Sequence, residues 1–131
     1  MNRLATRTVR IKGARIRAEI ADGPLSRMLG LMFRSRLAPG AGMLLCFRRS
    51  ADHYIHMMNV RFPLDVLFLR ADGRIEHIHH AVPGEWGFSS GKPVRYVLEV
   101  NAGFCRRHRV RTGDRCRLPE KKEKKGTCLS N

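Results

Sequence analysis

Residues 62–69, FPLDVLFL, constrain this chain more than any other stretch. Apolar side chains occupy both parities, with Phe62, Leu64, Val66 and Phe68 on one face and Leu67 and Leu69 on the other. A strand half in water alternates apolar and polar residues; one that does not is covered on both faces. Immediately after it, Ala71-Asp72-Gly73-Arg74 carries the Asp-Gly pair that suits a hairpin turn requiring positive φ. With Asp72 and Gly73 as a two-residue loop, Ala71 faces Arg74, Asp65 faces His80 and Val66 faces His79. A slip of one residue would break these pairings, because strand side chains alternate between faces.

Asp65 interrupts the apolar run. A carboxylate among apolar neighbours must be paired, hydrogen-bonded or protonated. His80 is the partner this register offers, with Asn59 and Arg61 as further candidates. The plain reading is a structural acid that holds a loop. The functional reading is a polar ligand pocket around Asp65 at one end of the sheet, lined by His56, Asn59, Asp65, His80 and Trp86.

Residues 1–8 read as a frayed N-terminus, 9–118 as one β-rich domain and 119–131 as a basic disordered tail. Val9 and Ile11, then Ile16, Ala18 and Ile20, alternate with polar residues and predict two short strands around Gly13. Asp22-Gly23-Pro24 opens a helix, with Asp22 as the cap and Pro24 in the first turn. Leu25, Met28, Leu29 and Met32 follow at helical spacing, a stripe expected to face the core, with Arg34 and Arg36 near the carbonyl end. Residues 42–47 read as a short buried strand. Residues 83–93 form a long turn-rich connection whose Trp86 is either a plug over the core or a binding contact. Residues 94–100 alternate, with Arg95 and Glu99 on a polar face, and Asn101 is placed to cap a short helix ending at His108.

Several of these stretches together resemble a known family. MMNVRFPLDVLF at 57–68, GLMFR at 30–34, GMLLCF at 42–47, and RYVLEVNAG at 95–103 followed by TGD at 112–114 occur in the order seen in an uncharacterised bacterial and archaeal family. That family is domain of unknown function 192, also uncharacterised protein family 0127. The resemblance spans residues 18–118. It implies a small, mainly β, sandwich-like domain with a helix packed on it, and no established activity. The expected fold is therefore mainly β (α+β): a single small β-sandwich or partly open antiparallel barrel, with one amphipathic helix and one short helix packed on it.

The chain has 131 residues, 26 basic and 11 acidic, for a formal charge of +15. That balance favours polyanions, and Arg106, Arg107, Arg109 and Arg111 form the densest basic run in the folded part. No glycine-rich phosphate loop, aromatic RNA-binding pair or zinc-finger spacing accompanies it. Cys46, Cys105, Cys116 and Cys128 match no metal module; reduced thiols are expected, with a Cys105–Cys116 disulfide sterically open. His53, His56, His77, His79 and His80 invite a metal reading, but on strands His53 and His56, and His79 and His80, point to opposite faces and only His77 and His79 share one, short of the three or four ligands a metal needs, so no metal or cofactor is expected. There is no signal-like apolar segment and no stretch long enough for a membrane helix, so the chain reads as cytoplasmic; an N-terminus trimmed upstream would leave export open. The leading expectation is an accessory module binding a small molecule or peptide. One alternative is an electrostatic binder of nucleic acid or another polyanion. The other is a hydrolase-like enzyme using Asp65 and a histidine as an acid–base pair, although Ser89-Ser90 lacks a nucleophile-elbow context.

Overall fold

The computed structural model describes residues 4–119; the expected tail at 119–131, with Cys128, lies outside the described residues from position 120 onward. Six strands form one mixed sheet: β1 (Thr6–Ile11), β2 (Ala14–Ala21), β3 (Ala41–Ala51), β4 (Leu64–Leu69), β5 (Ile75–Ala81) and β6 (Val94–Asn101), in the order β1-β2-β3-β6-β4-β5. Two short helices accompany it, α1 (Pro24–Leu29) and α2 (Phe104–His108). The fold is mainly β, but the sheet is neither closed into a barrel nor wholly antiparallel. Strands β2 and β3 run parallel. Parallel neighbours need a crossover, and residues 22–40, which carry α1, supply it. The N-terminus is ordered earlier than expected: β1 begins at Thr6, and Ile20 donates to the Ala5 carbonyl at 2.8 Å.

The two-sided burial read from residues 62–69 is present. All six residues of β4 are buried. Leu67 and Leu69 join a core with Ile11, Leu98 and Phe104; Leu64, Val66 and Phe68 join a second core on the opposite face with Met43, Val97 and Phe88. Strand β6 lies between β3 and β4. Its alternation therefore does not yield a polar face: Glu99 is only 4 % exposed.

The β4–β5 hairpin reaches its register by an unexpected route. Asp65 pairs with His80 and Val66 with His79, but the loop has three residues rather than two. Arg70 donates to the Arg74 carbonyl at 2.8 Å and Gly73 to the Arg70 carbonyl at 2.9 Å, so Arg74 faces Arg70 and not Ala71. The pairing then jumps from Leu69↔Ile75 to Phe68↔His77. The extra residue, Glu76, restores the register that a two-residue loop would have set.

Helix α1 differs most from expectation. It has six residues, none buried. Leu25 and Met28 are 65 % and 64 % exposed, and Leu29 is also exposed, so of the expected stripe only Met32, beyond the helix, packs against the core. The cap is Gly23, not Asp22: the Gly23 amide donates to Ser26 Oγ at 3.1 Å and the Ser26 hydroxyl returns to the Gly23 carbonyl. Gly30 at φ 49 stops the helix after about one and a half turns. The chain then swings Leu31 into the core. Arg34, beyond the helix, forms a bidentate pair with Glu19 of β2 at 2.6 and 2.9 Å.

Gly73 sits at φ 90 against the last described segment, and a Cβ there would stand 2.3 Å from the Cys116 carbonyl oxygen. Gly73→Ala is expected to lower unfolding free energy by about 1–3 kcal/mol, from overpacking added to backbone strain. Urea unfolding monitored by circular dichroism checks this; an unchanged midpoint would contradict the close approach.

Candidate functional site

Asp65 is 1 % exposed and fully occupied. His80 Nδ1–H donates to Oδ1 at 2.8 Å, and the Cys105 amide donates to Oδ2 at 3.0 Å. The first bond ties β4 to β5 and the second ties β4 to α2. Cys105 and Cys116 are free, buried thiols in the same core. Burial pushes the Cys105 thiol up to about 12, with the Asp65 charge adding to it; burial, then Asp114, takes Cys116 to about 12. Both are protonated and inert at neutral pH.

The opposite face holds a different arrangement. There the α1 turn, β3, β6 and residues 54–60 enclose a cavity of about 290 Å³. Leu31, Leu45, Ile55 and Val60 supply apolar wall; Met28, Leu29, Tyr54 and His56 stand around it, and Glu99 also lines it. Glu99 makes no hydrogen bond or ion pair among the described residues. Burial pushes its carboxyl up to about 7, while the charge of Arg34 pulls the other way. Arg34 is itself committed to Glu19, whose carboxyl it holds below the usual range. Arg27, another lining residue, spends one guanidinium nitrogen on the carbonyls of Asp22 and Cys46, at 2.8 and 2.9 Å, and lies 5.2 Å from the Phe47 ring centre.

The five residues expected to share one pocket are divided. Asp65 and His80 meet on one side. His56 lines the cavity on the other, with its ring centre 6.3 Å from that of Trp86. Trp86 is 77 % exposed and plugs nothing. The plug is Phe88, which exchanges backbone hydrogen bonds with Ile55 at 2.8 and 2.9 Å and stacks on His79 at 4.0 Å. Asn59 is exposed at φ 61, and its carbonyl accepts from the Phe33 amide at 2.9 Å, which joins the residue 54–60 loop to the α1 turn.

The other histidines disperse. His79 donates to Glu85 at 2.7 Å, His53 stacks on Phe47 at 3.7 Å, and His77 tilts against Phe68. Among the described residues no group of three or more His, Cys, Asp or Glu converges on a metal-sized point. Arg106, Arg107, Arg109 and Arg111 are all exposed on and just after α2, away from the cavity. No helix among the described residues is long and apolar enough to cross a membrane.

Glu99 is the residue that sequence reasoning placed wrongly. The available signal was Val97, an apolar residue on the supposedly polar face of β6, which marks a strand covered on both sides.

A mixed sheet covered on both faces, with one buried acid tied off and another opening into a cavity, defines a small β-rich pocket-bearing domain. Residues 7–118 match the family model of domain of unknown function 192, "Uncharacterized ACR", and the chain belongs to that family. It is 31 % identical over 109 residues to a UPF0127 protein of Pyrococcus furiosus, covering 79 % of this chain and 90 % of that one. Among solved structures, one described as a "putative transcription regulator" of Sinorhizobium meliloti 1021 has a TM-score of 0.85 and 40 % identity, covering 89 % of this chain and 96 % of that one. A protein of unknown function from Novosphingobium aromaticivorans has a TM-score of 0.83 and 30 % identity, covering 88 % and 86 % respectively.

Removing Asp65 strands a buried Cys105 amide, whereas removing the largely exposed His80 ring takes the donor from one Asp65 oxygen but lets water reach it in its place. Asp65→Ala is therefore expected to cost about 1–3 kcal/mol of unfolding free energy and His80→Ala distinctly less. Urea denaturation of the two variants checks the order; His80→Ala costing more would contradict it.

Proposed function

We propose that this chain is a ligand-binding module whose site is the cavity over Glu99. The ligand is a small molecule or peptide end with an apolar body and one hydrogen-bond-donating head, an amine above all. The carrying observation is a carboxylate, 4 % exposed, that lines a cavity and has no partner among the described residues. A buried acid without a partner is costly when ionised, and a cation brought into the cavity removes that cost. The apolar walls, with Leu25, Met28, Leu29 and Tyr54 exposed on or beside the rim, suit the body of such a ligand. Of the residues first expected to bind ligand, we keep His56 in the site and assign Asp65 and His80 to holding α2. Four of the stretches that carry the family resemblance meet here, contributing Gly30, Leu45, Val60 and Glu99.

Phenethylamine and phenethyl alcohol are suitable probes, because they differ only in the head group. The amine is expected to shift the amide resonances of Leu31, Leu45 and Ile55, and the alcohol to bind more weakly. Glu99→Gln is expected to weaken the amine by about tenfold or more, the usual worth of a charge-assisted hydrogen bond. Equal binding to both proteins, or shifts confined to the Asp65 side, would overturn the assignment.

The same carboxylate makes stability depend on pH. Its folded-state value of about 7 lies above the ordinary 4.5. Between those values the folded protein keeps a proton that the unfolded chain has released, so stability falls as pH rises from about 4.5 to about 7, and levels off above. The full difference is on the order of 3 kcal/mol. Glu99→Gln is expected to abolish this component and to gain stability relative to the parent at pH 8 but not at pH 5. Urea unfolding at both pH values measures it.

A further inference from the structure

We infer that the outer face of the β1–β2 hairpin, where it meets residues 115–117, is a binding site for the phosphate backbone of nucleic acid. The site is distinct from the cavity over Glu99 and from the arginines of α2. It rests on a row of like charges that the backbone pairing itself creates. Arg10 pairs with Arg15 across the β1–β2 ladder. On its other side Arg10 bridges Arg117, with reciprocal amide–carbonyl bonds of 3.1 and 2.7 Å. Directly paired residues project on the same face of a sheet, so Arg15, Arg10 and Arg117 form one row across three chain segments. All three are exposed. The alternate residues Val9, Ile11, Ile16 and Cys116 fill the core beneath.

None of the three has an acidic partner among the described residues, and the nearby Lys12 reaches Asp114 only at 3.8 Å. Like charges set directly opposite destabilise a sheet, so this row works against the fold. A phosphate chain would relieve it. The row borders a hollow of about 320 Å³ that also takes in Lys12 and Arg115, and no aromatic residue lines it. Binding there would engage phosphates without base stacking, and so would be sequence-independent and strongly salt-dependent. Guanidinium groups at strand spacing suit bidentate phosphate recognition. None of the large exposed apolar residues belongs to this hollow, which favours a phosphate backbone over a bilayer surface.

The test uses the full chain, so the lysine-bearing 120–131 segment is present in every protein. Arg10→Gln/Arg15→Gln/Arg117→Gln is compared with Arg106→Gln/Arg107→Gln/Arg109→Gln, which removes the same charge. Fluorescence anisotropy with a labelled 20-base-pair duplex and a labelled oligothymidylate is measured across a salt series. Vesicles of phosphatidylcholine with phosphatidylglycerol serve as the competing surface. The row variant is expected to bind both oligonucleotides at least tenfold more weakly at low salt. Its salt slope on the duplex should fall by about 0.9 for each phosphate that is no longer neutralised. The α2 variant should stay within about threefold of the parent. Relief of repulsion means that the row variant should melt no lower than the parent, so weaker binding is not a failure to fold. Equal weakening in both variants would reduce the effect to net charge and overturn the assignment. So would absence of oligonucleotide binding by the parent, or vesicle binding that depends on the row while oligonucleotide binding does not. A row variant that self-associates at unchanged affinity would instead make the arginines guards of an edge strand, and would also overturn it.

Discussion

Strands β4 and β6 lie side by side in the sheet with apolar side chains on both faces, so each face needs its own cover. The two covers differ in kind. On one face Phe104 and Cys105 of α2, Val110 and Cys116 close over Leu67, Leu69 and Leu98. On the other, Leu31 and Leu37 from the segment after α1 and two loops, carrying Ile55, Met57, Val60 and Phe88, do the work. Those loops are zipped together by backbone bonds, Met57 to Glu85 at 2.7 Å and Gly84 to Met57 at 2.8 Å. Loops carry backbone polar groups that need their own partners and cannot close-pack as a helix face does. A cavity on the loop-covered side follows from that difference in material.

Each cover meets one buried acid, and the acids are used in opposite ways. Asp65 is short, its two oxygens stay close to the backbone, and two donors take them. Glu99 lies in a cross-sheet row, Glu19–Met43–Glu99–Val66–His79. The polar ends of that row are self-contained, Glu19 with Arg34 and His79 with Glu85. Met43 and Val66, the direct neighbours of Glu99, offer it no donor. A carboxylate isolated in this way is held by the strands around it and left open only toward the cavity. Its raised pKa is a consequence of that placement.

Much of the frame was legible in residues 62–82, because burial on both faces and an Asp-Gly turn are local signals. The Asp65–His80 pairing could be anticipated even though a three-residue loop and a bulge at Glu76 produce it together, two offsets that cancel. What could not be read locally was anything set by strand order. Glu99 alternates as a surface residue would, and only the position of β6 between β3 and β4 buries it. The stripe Leu25, Met28, Leu29 and Met32 has the spacing of a core-facing helix, but Gly30 ends the helix while its apolar side chains are still exposed. Trp86 and Phe88 are two residues apart in one glycine-rich loop, and composition cannot say which of them turns inward. The parallel pairing of β2 with β3 is likewise a property of the whole sheet, not of either strand.

Net charge is the coarsest feature of this chain, and the structure sorts the charges that compose it. Several arginines serve the fold: Arg34 anchors the crossover to β2, Arg27 caps two carbonyls, and Arg115 donates to the Asp72 carbonyl at 3.1 Å. Arg106, Arg107, Arg109 and Arg111 are close in sequence because a helical turn and its exit are close in sequence, and they surround the carbonyl end of α2, where positive charge is favourable in any protein. Arg15, Arg10 and Arg117 come from distant parts of the chain and are aligned only by the ladder. A cluster assembled by tertiary structure, at a cost to that structure, needs a cause outside the fold. A cluster contiguous in sequence and favoured by its own helix does not. That contrast, more than the total of +15, is why the inferred phosphate site is placed at the hairpin edge and not on α2.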